Sequence, residues 1–142
     1  MSSAIIEGLV VRFYRDMWNR ADESVAREIL HPAFDFRGSL GPTRLGPEGF
    51  IDYMRAVHAA LGNYTCTIED LIATDERAAA RMRFDGVHRS TFFGIPATGR
   101  PITWAGAAFF TLRDRQIGRL WVLGDIDGIK QQLGAAPTAS FE

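Results

Sequence analysis

The stretch QIGRLWVLGDIDGIKQQLG, residues 116–134, predicts a β-strand that leads directly into a short helix. Side chains in its first half alternate between two faces, which is the spacing of a strand. Asp127 is suited to cap the N-terminus of the helix, and Gly134 is suited to end it. The strand face that carries Trp121 continues to Asp125, so a carboxylate follows directly on bulky apolar residues. Burying a carboxylate at the end of an apolar strand is costly unless the group is solvated, paired with a cation or used in catalysis. Asp125 is therefore the first candidate for a catalytic residue.

The rest of the chain divides into a helical first half and a β-rich second half. Apolar spacing predicts three helices, in residues 3–21, 22–30 and 47–62. Alternation predicts four further strands, in residues 33–38, 64–73, 77–88 and 101–112. This order predicts an α+β fold in which a curved antiparallel sheet wraps around the N-terminal helices and forms a cone with a deep pocket. We predict a single domain over residues 1–142, with residues 135–142 as a flexible tail.

The composition is that of an ordinary globular protein. Of the 142 residues, 46% are hydrophobic and 23% are charged, which argues for a packed core and against disorder. The formal net charge of -1 gives no reason to expect nucleic acid or a membrane surface as a partner. The single cysteine, Cys66, excludes an internal disulfide and favours a reducing compartment. No apolar run approaches transmembrane length, so we expect a cytoplasmic protein.

The segment 101–112 is apolar on both faces of its predicted strand. Ile102 and Trp104 lie on one face, and Ala107 and Phe109 lie on the other. A strand of this kind needs cover on both sides, and the helices can cover only one of them. The sequence therefore predicts a homodimer that is joined through the outer face of the sheet.

Two residues are candidates for acid/base chemistry. Asp125 could act as a general acid or base in an apolar pocket, or it could simply cap the following helix. His88 shares a strand face with Phe84. It could orient a carbonyl group or serve as a partner base, or a backbone carbonyl could hold it in a purely structural role.

Several further residues are candidates for binding a substrate. Arg37 could stabilise an oxyanion as a fixed cation, or lie solvated at a strand edge. The candidates for the pocket wall are apolar or aromatic: Tyr14, Trp18, Phe36, Met54, Phe84, Trp104 and Trp121. Core packing is the alternative for each of them. The sequence has no Walker loop, no G-x-G-x-x-G and no H-E-x-x-H motif, so we expect no cofactor and no metal. The concave, mostly apolar pocket predicts a small hydrophobic substrate.

Four motifs follow one another along nearly the whole chain. They are FYRDMWNRAD at 13–22, GPEGFIDYMRAVHAAL at 46–61, GVHRSTFFGIPATGR at 86–100 and LWVLGDIDGIKQQLG at 120–134. In this order they resemble the SnoaL-like polyketide cyclase and hydroxylase family, within the nuclear transport factor 2-like superfamily. The resemblance implies the cone-shaped α+β fold with its deep pocket. It implies the activity less directly, because one fold hosts many functions.

The resemblance also implies roles for particular residues. In the cyclases an aspartate near the end of the last strand acts as acid and base in an intramolecular aldol closure, and Asp125 matches it best. The motif histidine before the aromatic loop matches His88. Some members of the family hydroxylate polyketide-derived intermediates without metal or flavin. The implied activity is therefore cofactor-independent proton abstraction next to a carbonyl group, in a cyclase or a hydroxylase.

Other functions on the same fold stay open at this point. One is a steroid-type isomerase, and another is an epoxide hydrolase. Against the hydrolase, the apolar Val122 stands where the acid of its last strand would be. A third is a non-catalytic binding protein for an apolar ligand, in which Asp125 would be a polar anchor or a helix cap.

Overall fold

The computed structural model describes residues 2–134, which form four α-helices and one six-stranded sheet. The helices are α1 (Ala4–Arg12), α2 (Glu23–Ile29), α3 (Gly46–Ala60) and α4 (Ile126–Gln132). The strands are β1 (Leu30–Arg37), β2 (Arg44–Leu45), β3 (Leu61–Ala73), β4 (Arg77–His88), β5 (Pro101–Arg113) and β6 (Gln116–Gly124). No helix within residues 2–134 is both long and apolar enough to cross a membrane. The predicted tail, residues 135–142, lies outside the described residues.

The first predicted helix changes its geometry halfway along. α1 ends at Arg12, and the chain continues as a π-helical segment, Phe13–Trp18. Within this segment Tyr14 and Trp18 are buried. Single π-helical turns are rare and occur frequently at functional sites. This one delivers two of the predicted wall residues to the inner side of the molecule.

The sheet is curved and open, with the strand order β2-β1-β6-β5-β4-β3. Strands β3 to β6 form an antiparallel meander, whereas β1 pairs with β6 in parallel. The α+β fold is confirmed, but the prediction of a wholly antiparallel sheet is wrong at β1. The reason is the path of the chain. After β1 it passes through β2 and α3 to the far edge of the sheet, and the meander returns β6 to the side of β1 in the same direction.

The core lies between the helices and the inner face of the sheet. Strand β4 shows the predicted alternation, because Met82 and Phe84 are buried while Arg81 and Arg83 are exposed. Strand β5 is apolar on both faces as predicted, and Phe109 on its outer face is 51% exposed. The inner face of the sheet therefore carries the core, and its outer face keeps large apolar side chains in contact with solvent.

Candidate functional site

A small cavity lies between the inner face of the sheet, the π-helical segment and the loop 38–43. Aromatic rings form most of its wall: Phe13, Tyr14, Trp18, Phe36, Tyr53, Tyr64, Phe84 and Trp104. Ser39, Leu40, Leu120, Val122 and Gly124 complete it. The cavity has a volume of about 40 Å³, which is room for roughly three water molecules. Since drug-sized ligands occupy roughly 300–1,000 Å³, a polyketide-sized ligand must extend beyond this space or move part of the wall.

Ser39 fastens the loop 38–43 to the end of β6. Its hydroxyl oxygen accepts a hydrogen bond from the Gly124 N–H at 2.7 Å and donates one to the Val122 carbonyl oxygen at 3.2 Å. Both partners are residues of the cavity wall. The Ser39 side chain therefore ties the loop to the wall of the cavity.

Three tyrosines are part of the cavity wall: Tyr14, Tyr53 and Tyr64. Burial raises the pKa of Tyr14, of Tyr53 and of Tyr64 above the usual value for a phenol. Their hydroxyl groups therefore keep their protons at neutral pH and act as hydrogen-bond donors. Within residues 2–134, the hydroxyls of Tyr14 and Tyr53 make no hydrogen bond. Both are thus available to a carbonyl oxygen of a ligand.

These raised pKa values predict that the fold loses stability in alkali. Below about pH 10 the three tyrosines are protonated in both the folded and the unfolded chain, and their contribution is fully present. Above that pH the unfolded chain loses protons that the folded chain retains. The free energy of unfolding should fall by about 1.4 kcal/mol per pH unit for each tyrosine that stays protonated. Urea unfolding at pH 9, 10 and 11 measures the slope.

A matched variant separates this effect from other alkaline changes. Tyr14→Phe removes one of the three hydroxyls. The free energy of unfolding of the variant should therefore fall less steeply with pH, by the contribution of one tyrosine. An unchanged slope in Tyr14→Phe, or no slope in the parent protein, would contradict the assignment.

Asp125 does not line the cavity, but it directly follows a residue that does, and we call this position the rim. Its side chain is exposed and accepts a hydrogen bond from the Gly128 N–H at 2.9 Å, which caps the N-terminus of α4. The prediction that Asp127 caps this helix is wrong, because α4 begins two residues earlier and Asp127 lies in its first turn. The preceding residue, Gly124, is part of the cavity wall. The catalytic role of Asp125 stays a prediction, and its carboxylate would act from the rim of the cavity.

His88 is fully buried and does not line the cavity. Its Nδ1 atom accepts a hydrogen bond from the Thr98 N–H at 3.2 Å and lies 2.9 Å from the Thr98 hydroxyl oxygen. Its Nε2 atom is buried without a partner among residues 2–134. No hydrogen bond in this part of the chain joins His88 to Asp125. The structure therefore does not bring the two predicted catalytic residues into one hydrogen-bonded pair.

The predicted wall residues divide into two groups. Five of them line the cavity: Tyr14, Trp18, Phe36, Phe84 and Trp104. Met54 is buried on α3 outside the lining. Arg37 and Trp121 lie outside the cavity, with the guanidinium carbon 5.2 Å from the centroid of the indole ring. The Arg37 Nη1 atom also donates to the Val122 carbonyl oxygen at 3.3 Å. The roles of these residues in binding stay predictions.

Sequence reasoning missed two of the three tyrosines. Tyr53 stands on α3 between the apolar positions Phe50 and Met54, and Tyr64 is the fourth residue of the strand β3. A tyrosine within an apolar stripe was the available signal, because its hydroxyl needs either a partner or a cavity.

The described residues offer no metal site. Within residues 2–134, no group of three or more His, Cys, Asp or Glu side chains could hold a metal ion. Cys66 is buried, and burial raises the pKa of its thiol. A protonated thiol in such a place packs as a small apolar side chain.

Fold and cavity together define a class: an α+β protein whose curved sheet and helices enclose an aromatic cavity. The chain belongs to the SnoaL-like polyketide cyclase family, whose model matches residues 8–133. No curated protein sequence matches it.

Solved structures share the fold over almost the whole chain. TsrD from Streptomyces laurentii is 27% identical with a TM-score of 0.84, over 96% of this chain and 99% of TsrD. IdmH from Streptomyces antibioticus, a proposed polyketide cyclase, is 25% identical with a TM-score of 0.80, over 91% of this chain and 98% of IdmH. AclR from Streptomyces galilaeus, a proposed hydroxylase, is 19% identical with a TM-score of 0.82, over 96% of this chain and 100% of AclR. AclR supports the fold alone.

Proposed function

We propose that this protein is an acid/base enzyme that acts on a hydrophobic, oxygenated small molecule of polyketide type, as a cyclase or a hydroxylase. The observation that carries the proposal is the aromatic cavity, in which Tyr14 and Tyr53 present protonated hydroxyls without partners in residues 2–134. Membership of the SnoaL-like family supports it. Flat apolar rings stack on aromatic walls, and a carbonyl oxygen accepts hydrogen bonds from phenols.

The proposed reaction begins with removal of a proton next to a carbonyl group. One ring of the substrate occupies the cavity, and its remainder extends past Gly124 to the rim. The carboxylate of Asp125 takes the proton there, the C–H bond breaks, and its electron pair forms an enolate. The hydroxyls of Tyr14 and Tyr53 donate to the enolate oxygen, where the negative charge develops. This proton transfer needs no cofactor. In a cyclase the enolate carbon then attacks a carbonyl carbon of the same molecule, and the resulting alkoxide takes up the proton that Asp125 holds. In a hydroxylase the enolate carbon instead adds O2 and takes up that proton to form a hydroperoxide, and a separate two-electron reductant converts the hydroperoxide to the alcohol and water.

Filling the cavity tests whether this is the binding site. Val122→Phe adds volume to the wall, and overpacking of a confined space costs roughly 1–3 kcal/mol. We expect 1-tetralone, an apolar aromatic ketone, to bind at least about 10-fold more weakly to the variant. Ligand-observed NMR titration measures this affinity.

The neighbouring residue provides the control. Leu123→Phe enlarges the next side chain of the same strand, which is on the outer face and 52% exposed. It should leave the affinity within about 2-fold. Equal binding by the parent protein and by Val122→Phe would place the ligand elsewhere and refute the proposed site.

A binding protein without turnover is the second candidate. The observation that favours it is that no carboxylate or imidazole is among the cavity-lining residues described above. The cavity would then hold an apolar ligand, and Asp125 would serve only as the cap of α4. An isomerase would share the first proton transfer with the leading proposal. An epoxide hydrolase is less compatible, because Val122 presents an apolar side chain to the cavity.

The proposal includes a homodimer formed through the outer face of the sheet. Three large apolar residues on this face are strongly exposed, with Ile72 at 68%, Leu123 at 52% and Phe109 at 51%. The Phe109 ring lies 5.7 Å from that of Trp121, which is also exposed, so part of the surface is contiguous. Contiguous apolar surface of this kind marks an interaction site.

Sedimentation equilibrium at micromolar concentration should find a dimer. Phe109→Glu should dissociate it, because a buried carboxylate without a partner is costly. Ile5→Glu changes an exposed apolar residue on α1 and should leave the dimer intact. A monomeric parent protein would disprove the dimer.

A further inference from the structure

Arg44 lies beside the cavity on the inner side of the sheet. It directly follows the loop 38–43, which contributes Ser39 and Leu40 to the wall. In the antiparallel pairing of β1 and β2, Arg44 is opposite Phe36. Residues directly opposite each other in such a pair project to the same face of the sheet. Since Phe36 lines the cavity, Arg44 points to the cavity side.

The guanidinium group of Arg44 lies next to a polar residue of the wall. Its central carbon is 5.9 Å from the centroid of the Tyr53 ring. Burial raises the pKa of Tyr53, and the positive charge of Arg44 acts in the opposite direction. Cation and phenol are therefore close enough to interact electrostatically, and Arg44 lies directly behind a residue of the cavity wall without lining the cavity itself.

The Arg44 side chain has no hydrogen-bond or ion-pair partner in the described part of the chain. The Nε atom of Arg44 is buried and makes no hydrogen bond within residues 2–134. Other arginines near α3 are paired, as Arg27 is with Glu48 and Arg55 is with Glu23. A buried donor on a charged group is costly to leave unsatisfied. Such a group is poised to bind an anion from outside the chain.

We propose that Arg44 binds a carboxylate of the ligand whose aromatic ring lies in the cavity. The proposal rests on the proposed function and narrows its substrate class to aromatic or polyketide-type molecules that carry a carboxylate. The planar fork of a guanidinium matches the two oxygens of a carboxylate, and hydrogen bonds between charged groups are the strong ones. Arg44 would then set the orientation in which the substrate enters.

Two single-ring probes of the same shape test this assignment. 4-Fluorobenzoate carries the charge, and 4-fluorobenzamide replaces the carboxylate with an uncharged amide. In fluorine NMR titrations at 0.15 M salt, the parent protein should bind the benzoate about 10-fold more tightly than the benzamide. Arg44→Met should weaken benzoate binding by about 10-fold and change benzamide binding by less than about 2-fold. Arg44→Lys should keep part of the preference, because it keeps the charge without the fork.

The control variant is Arg77→Met. It makes the same change in net charge at an exposed arginine at the start of β4, outside the cavity wall. The preference for benzoate should survive it. Equal affinities of the two probes for the parent protein would overturn the inference, as would a loss of benzoate binding in Arg77→Met that equals the loss in Arg44→Met. 1-Tetralone has no carboxylate, so its binding and its sensitivity to Val122→Phe decide the proposed function separately.

Discussion

Phe50→Ala should lower the free energy of unfolding by about 3–5 kcal/mol, the range for deleting a buried phenylalanine side chain. Phe50 is fully buried on α3. Its ring lies within 6 Å of the rings of Phe13, Trp18, Phe34, Phe36 and Tyr53. It therefore joins the π-helical segment, β1 and α3 behind the cavity wall. Urea unfolding followed by circular dichroism measures the change.

Leu45→Ala is the control for this measurement. Leu45 is 71% exposed, so its truncation should change the free energy of unfolding by less than about 0.5 kcal/mol. A loss below about 1 kcal/mol in Phe50→Ala would mean that the aromatic cluster does not hold the three elements together.

Asp125→Asn should reduce turnover at least about 100-fold, which is the contribution of a positioned general base. Asparagine caps helices about as well as aspartate, so α4 and the stability of the fold should be preserved. The assay follows exchange of the protons next to the carbonyl group of 1-tetralone in deuterated water. This exchange reports the proton transfer itself and does not require the natural substrate.

Asp127→Asn is the matched control for this variant. It removes a carboxylate two residues further on, in the first turn of α4, and should leave the exchange rate within about 2-fold. Exchange that Asp125→Asn leaves unchanged would remove the catalytic role of Asp125 and favour a binding protein.

Much of the fold could be predicted because strands and caps leave local signals. The alternation in 77–88 predicts the bounds of β4 as observed, and the alternation that begins at residue 116 predicts the start of β6. Asp22, where the second predicted helix begins, caps α2 and accepts a hydrogen bond from the Ser24 N–H at 3.0 Å. These features depend on neighbouring residues only. The parallel pairing of β1 depends on the whole path of the chain, and no local pattern reports that path.

The site was less predictable, because the two faces of β6 look alike in the sequence. Leu120 and Val122 lie on one face and Trp121 and Leu123 on the other, and all four are apolar. The structure turns the Val122 face to the cavity and leaves Trp121 exposed. Asp125, which continues the Trp121 face, is consequently at the rim. The apolar pattern of the sequence also cannot show where the packed core leaves a cavity.

The tyrosines of the cavity wall were also not predictable from the sequence pattern. Their aromatic rings satisfy the apolar pattern of α3 and β3, so Tyr53 and Tyr64 pass as core residues in the sequence. Only the packing of distant segments reveals that these residues line a cavity. The unpartnered guanidinium of Arg44 is likewise visible only once β2 is placed against β1.

The rate of deuterium exchange into 1-tetralone, compared between the parent protein and Val122→Phe, tests most directly whether the aromatic cavity is where the substrate loses its proton. We predict that the parent protein accelerates exchange, that Leu123→Phe retains this acceleration, and that Val122→Phe loses at least about 10-fold of it. Exchange in Val122→Phe as fast as in the parent protein would contradict the account.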